Sequence, residues 1–84
     1  MSYRLARGVR LQTSADGEPV LLIPEGIVSL NVSAAATLEL LDGTRDADAI
    51  AQLLAERFEA PPSELGSDVR TLLDDFVERG FVTT

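Results

Sequence analysis

Cysteine, histidine and lysine are all absent from these 84 residues. Without cysteine there is no disulfide and no thiolate nucleophile. Without histidine there is no imidazole base, and nearly every zinc or iron site loses its usual ligands. Ser29, Ser33, Ser63 and Ser67 therefore have no partner to activate them, and no G-x-x-x-x-G-K-[ST] loop is present to cradle a phosphate. The sequence predicts neither an enzyme nor a resident metal or cofactor. Positive side-chain charge comes from seven arginines alone, against fourteen acids, for a net charge of −7. That balance opposes nucleic acid, where phosphate neutralisation supplies most non-specific affinity, and it opposes anionic membranes. No apolar run approaches the ~18 residues of a membrane helix, and MSYRLARGVR has no apolar signal core, so a cytoplasmic location is expected.

What is present is an ordinary globular composition, 45% hydrophobic and 25% charged, in a chain long enough for one domain over 1–84. Residues 1–6 carry little pattern and are expected to be loose. From Val9 the residues alternate: Val9, Leu11 and Thr13 share one face, Arg10, Gln12 and Ser14 the other. An Asp16-Gly17 turn leads to a second strand, Glu18–Ile23. Pro24-Glu25-Gly26 marks a tight connection to a third strand, Ile27–Asn31. The second strand is apolar on both faces, Val20 and Leu22 opposite Leu21 and Ile23. One face then needs a cover: the N-terminal segment, a partner or a second copy. A monomer or weak homodimer is the expected state.

Helical spacing follows. Ser33 is the expected N-cap of a helix over Ala34–Leu41, with Gly43 at its left-handed end. Asp46 caps a second helix over Ala47–Glu59, whose stripe is Ile50, Leu53, Leu54 and Phe58, and Ala60-Pro61-Pro62 stops it. A third helix starts after Ser63 or, because Gly66 weakens the first turn, after Ser67. Its stripe is Leu65, Val69, Leu72, Leu73, Phe76 and Val77; Gly80 ends it, and Phe81-Val82 folds back as an apolar tail. The order β-β-β-α-α-α predicts an α+β, winged-helix-like domain: a three-stranded antiparallel meander followed by three helices.

In a winged helix that reads DNA, the third helix enters the major groove. Between Glu64 and Arg79 this one carries five acids and two arginines, which opposes a phosphate backbone. Asp68, Asp74 and Asp75 lack the supporting ligands of a metal site and read as a solvated helix face; Asp68 caps the helix or meets a partner. A free strand edge beside apolar surface is what a peptide binder by strand addition needs, and Arg70 and Arg79 are available for acids of such a ligand.

The runs V-R-L-Q at 9–12, V-L-L-I-P-E-G at 20–26, L-N-V-S-A at 30–34, L-E-L-L-D-G at 38–43, S-D-V-R-T-L-L at 67–73 and R-G-F-V at 79–82 resemble the PqqD family over nearly the whole chain. The chain departs from the family pattern at the 15–18 turn and at Thr37. The resemblance implies a non-catalytic peptide chaperone, a RiPP recognition element. Such a chaperone binds the leader of the precursor peptide PqqA and presents it to the radical SAM enzyme PqqE in pyrroloquinoline quinone biosynthesis. Carried onto this sequence, the implied peptide surface is Ile27, Val28, Ser29, Leu30 and Asn31 with Asp68, Val69, Arg70, Leu72 and Leu73. Two alternatives stand beside it: a recognition element for a different ribosomally made modified peptide, and a winged-helix regulator of DNA.

Overall fold

A computed structural model describes residues 2–84. The chain runs β1 (Arg4–Leu5), β2 (Arg10–Thr13), β3 (Pro19–Ile23), β4 (Gly26–Ser29), α1 (Val32–Glu39), α2 (Ala47–Phe58), α3 (Pro62–Glu78) and β5 (Val82–Thr83). Strands β2, β3 and β4 form the expected antiparallel meander, in that order. Leu11 pairs with Leu21 and Leu21 with Val28, so these three share the helix-facing side of the sheet. Arg10, Leu22 and Ile27 form the neighbouring row, on the outer side.

Against the inner side lies α1, in contact with β2 and β3 and, beyond them, with α2. Five consecutive residues of α1, Ala34 to Leu38, are buried. A helix enclosed on all sides needs small side chains for close approach, which is the use of Ala34-Ala35-Ala36. Thr37 is the polar member of this run; its hydroxyl donates to the Ser33 carbonyl at 2.9 Å, so the group is satisfied. The side chains most fully removed from water are Leu21, Leu38, Ile50, Leu73 and Val82, one each from β3, α1, α2, α3 and β5.

Several boundaries differ from the sequence reading, each for a local reason. The cap of α1 is Asn31 rather than Ser33: the Asn31 Oδ1 accepts from the Ala34 amide at 2.7 Å. The third strand of the meander therefore ends at Ser29, and α1 spans Val32–Glu39 instead of Ala34–Leu41. Gly43, at φ 85°, lies in the α1–α2 loop, where its amide donates to the Tyr3 carbonyl. Asp46 does cap α2, accepting from the Ala49 amide at 2.8 Å. Helix α3 begins at Pro62 with Pro61 before it, earlier than either serine. Proline at the first helical position lacks only an N–H that would be unpaired anyway, and its φ is already helical.

The C-terminus of α3 is a complete Schellman motif. The Phe81 amide donates to the Phe76 carbonyl at 2.9 Å and the Gly80 amide to the Val77 carbonyl at 3.0 Å, with Gly80 at φ 81°. The Phe76 and Phe81 rings meet edge to face, 5.7 Å apart, supplying the apolar contact that goes with this cap. The chain then enters β5, which pairs antiparallel with β1 through Leu5 and Val82. The expectation of a loose segment over residues 1–6 thus fails for residues 3–5; Met1 lies outside the described residues. Tyr3 is buried, and its amide donates to the Arg45 carbonyl. A two-residue strand has too little periodicity to be read, and its partner residues are 77 and 79 positions away.

Candidate functional site

The β4 strand is one edge of the meander. Which of its amides face outward follows from one bond just beyond its end, where the Leu30 amide donates to the Pro19 carbonyl at 3.1 Å. In the register of this hairpin Leu30 lies opposite Pro19, so Leu30 and, by alternation, Val28 and Gly26 turn their backbone groups toward β3. Ile27 and Ser29 then turn theirs out. The other flank agrees: the Ser14 amide donates to the Glu18 carbonyl, so β3 uses Val20 and Leu22 toward β2, leaving Leu21 and Ile23 for β4. The edge therefore offers two outward amides and two outward carbonyls, at Ile27 and Ser29. Their side chains stand on the outer face, while Val28 and Leu30 point to the helices.

Two residues past Ser29, Asn31 opens onto a groove of about 490 Å³. Asn31, Ser33, Ala34 and Thr37 form its wall at the start of α1, and Leu54 and Phe58 close the α2 side. Leu65, Asp68, Val69 and Leu72 line it from α3. The spacing of that last set, one, four, five and eight in count, is a single helical face. The groove is apolar at its base and polar at the Asn31, Ser33 and Asp68 rim. Asp68 is the one ionisable group among the lining residues.

Of the ten residues expected from the sequence, the structure brings Asn31, Asp68, Val69 and Leu72 into the groove and sets Ile27 and Ser29 on the adjoining edge. Val28 and Leu30 support the edge from inside, packed into or against the core. Arg70 is not among them. It projects from another side of α3, where it pairs with Asp48 beside Tyr3 and the start of α2. Leu73 is fully buried and belongs to the core. Arg79 is held by Asp75 one turn back. Sequence reasoning did not assign Ser33, Ala34, Thr37, Leu54, Phe58 or Leu65 to the site. A usable signal existed for Phe58, the last member of the α2 stripe, which the structure leaves 39% exposed.

An open strand edge joined to an apolar groove defines a binding module. Among the described residues no three metal-ligating side chains gather. The chain belongs to the PqqD family: the family model for coenzyme PQQ synthesis protein D matches residues 18–82. Over 77 residues it is 43% identical to a PqqA binding protein of Rhizobium meliloti (strain 1021), covering 90% of this chain and 79% of that one. To a PqqA binding protein of Klebsiella pneumoniae (strain 342) it is 51% identical over 73 residues, 86% of this chain and 71% of the relative. The fold matches the solution NMR structure of the PqqD truncation of Methylobacterium extorquens PqqCD, which represents a functional, stand-alone RiPP recognition element. The TM-score is 0.84 at 32% identity, covering 98% of this chain and 88% of the other. The α+β, three-strand, three-helix architecture expected from the sequence is the one shared with that solved structure, and the role it carries is binding without catalysis.

Proposed function

We propose that this chain is a recognition element that binds the leader of PqqA as an added strand on β4 and presents the peptide to the radical SAM enzyme PqqE. The observation that carries this reading is the outward pair of amides at Ile27 and Ser29, continuous through Asn31 with the apolar groove. Main-chain bonds to that pair supply affinity without regard to sequence; alternate guest side chains supply selectivity. Guest residues opposite Val28 share its face and point toward the helices, so apolar residues are favoured there; guest residues opposite Ile27 and Ser29 stay on the outer side. Two relatives named for PqqA binding, and the PqqD described as a RiPP recognition element, support the choice of ligand. On this reading the domain acts in the cytoplasm as a monomer or weak homodimer. All the chemistry belongs to the enzyme. Tethering the leader raises the effective concentration of the reacting part of the peptide there.

Amide chemical-shift mapping with synthetic PqqA, and with an unrelated leader as control, tests the proposal. The expected result is selective shifts at Ile27, Ser29 and Asn31 and along 65–72, with PqqA preferred. Equal response to both peptides would reject PqqA as the cognate ligand, and shifts confined to other surfaces would reject strand addition at β4.

A further inference from the structure

We propose that the outer face of the three-stranded sheet, where Arg10, Leu22 and Ile27 line up beside the Arg7 turn, is a second docking surface. Its partner is an acidic patch with an apolar centre on the enzyme that processes the peptide. The proposal rests on the reading above that this domain delivers a peptide to such an enzyme.

Charge is unevenly distributed. The first fifteen residues hold three arginines and no acid; the rest of the chain holds fourteen acids and four arginines. Those four are all engaged: Arg45 with Asp42, Arg57 with Glu39, Arg70 with Asp48 and Arg79 with Asp75. Among the described residues no carboxylate pairs with Arg4, Arg7 or Arg10, and all three are exposed; Arg4 lies apart on β1. A protein with twice as many acids as arginines thus leaves two cations unneutralised at one end of its sheet.

The register supplies the apolar part. Arg10 lies opposite Leu22, and Leu22 opposite Ile27, so the three make one row across β2, β3 and β4 on the side away from the helices. Ile27 is 68% exposed, more than any other large hydrophobic residue described. The Arg7-Gly8 turn reaches the same end of the sheet: a Cβ on Gly8 would stand 3.6 Å from Pro24 Cγ. Glu25, at the hairpin tip, is the acid nearest this end in the chain. An apolar centre edged by arginine is the composition of a protein interface, in which arginine is favoured and charge complementarity speeds encounter. It does not suit a phosphate backbone, and two copies of a chain of net charge −7 repel each other at long range. The face also lies opposite the groove side of the sheet. A domain with a peptide on β4 and in the groove can therefore still dock through it.

The test uses the full chain, synthetic PqqA and purified PqqE, with binding measured by calorimetry for wild type, for Arg7→Glu/Arg10→Glu and for Arg7→Lys/Arg10→Lys. The expected result is that both variants keep PqqA affinity within about twofold. Enzyme affinity should fall about tenfold or more in the glutamate variant and largely survive in the lysine variant, with wild-type enzyme affinity weakening as salt is raised. Unchanged enzyme affinity in the glutamate variant would overturn the proposal. So would a wild type that binds PqqA but not the enzyme, or a change seen by sedimentation in self-association alone. A wild type that fails to bind PqqA would reject the functional reading, and the enzyme arm would still decide the surface.

Discussion

The Leu30 amide donates to the Pro19 carbonyl, and that bond sets the phase of the β4 edge. It makes Ser29 an outward donor and Leu30 an inward one, although the two are adjacent in the chain, Ser29 last in β4 and Leu30 just past it. A proline at either position removes one N–H, with opposite consequences. Ser29→Pro is expected to leave the fold intact, lowering stability by less than about 1 kcal/mol. It should weaken peptide binding by about 1 kcal/mol or more through the lost edge bond. Leu30→Pro removes the bond from a buried residue just past β4 to Pro19 of β3 and is expected to destabilise the domain by about 2–3 kcal/mol. Urea melts followed by circular dichroism, with calorimetry on the folded variants, read both effects. A folded Ser29→Pro that binds as wild type would refute strand addition at this edge.

Leu72 and Leu73 are adjacent in sequence but separate in role. Leu73 is fully buried, and Leu73→Ala is expected to cost about 2–5 kcal/mol of stability through the cavity it leaves. Leu72 and Phe58 line the groove and are partly exposed. Phe58→Ala is therefore expected to lose little stability, about 1 kcal/mol, and to weaken peptide affinity about fivefold or more. Arg70→Ala breaks an exposed pair with Asp48 on another side of the helix and should move neither affinity nor stability beyond about 0.5 kcal/mol. Denaturant titration and calorimetry on the three variants separate these outcomes.

These contrasts show where sequence reading stopped. The meander, the three helices and the stripes of α2 and α3 were legible because each repeats a period of two or 3.6 over enough residues to be counted. The edge strand could be located, but its phase could not, since that depends on which cross-strand pair is bonded. The α3 stripe spans Leu65 to Val77 and includes both core and groove residues. Periodicity alone gives Leu72 and Leu73 the same standing, and only the position of α1 and α2 tells them apart. The β1–β5 ribbon was invisible because its strands are two residues long and joined by nearly the whole chain. The exchange of Ser33 for Asn31 as cap reflects two residues of similar capping propensity two positions apart, where the end of β4 decides.

Two backbone positions are open to improvement. Gly66 lies inside α3, and a Cβ there meets nothing within 4 Å. Gly66→Ala is expected to raise stability by about 0.5–1 kcal/mol by lowering the entropy of the unfolded chain. Glu59 ends α2 in the left-handed region at φ 53°, a conformation that a side chain disfavours. Glu59→Gly is expected to gain up to about 1 kcal/mol. Thermal melts of the single and double variants check both gains and their additivity. A loss of stability in either single variant would contradict the backbone geometry.

The α1–α2 loop carries a pH response. Asp42 accepts from both the Thr44 hydroxyl, at 2.7 Å, and the Thr44 amide, at 2.9 Å. These two bonds, the hydroxyl first, hold its carboxyl below the usual aspartate range, with Arg45 adding a smaller push in the same direction. A folded-state pKa below the unfolded one means that the charged form is favoured by folding. Its contribution is therefore fully present above the ordinary aspartate pKa of about 3.9 and is lost as pH falls through the lower folded value. The loop also receives the N-terminus, through the Gly43 amide to the Tyr3 carbonyl and the Tyr3 amide to the Arg45 carbonyl. Asp42→Ala should thus lower the Tm at pH 7 and speed amide exchange at Tyr3 and Gly43, and the Tm difference from wild type should shrink as pH is taken below about 4. A difference in Tm that stays constant from neutral to acid pH would show that the ionised carboxylate does not hold this loop.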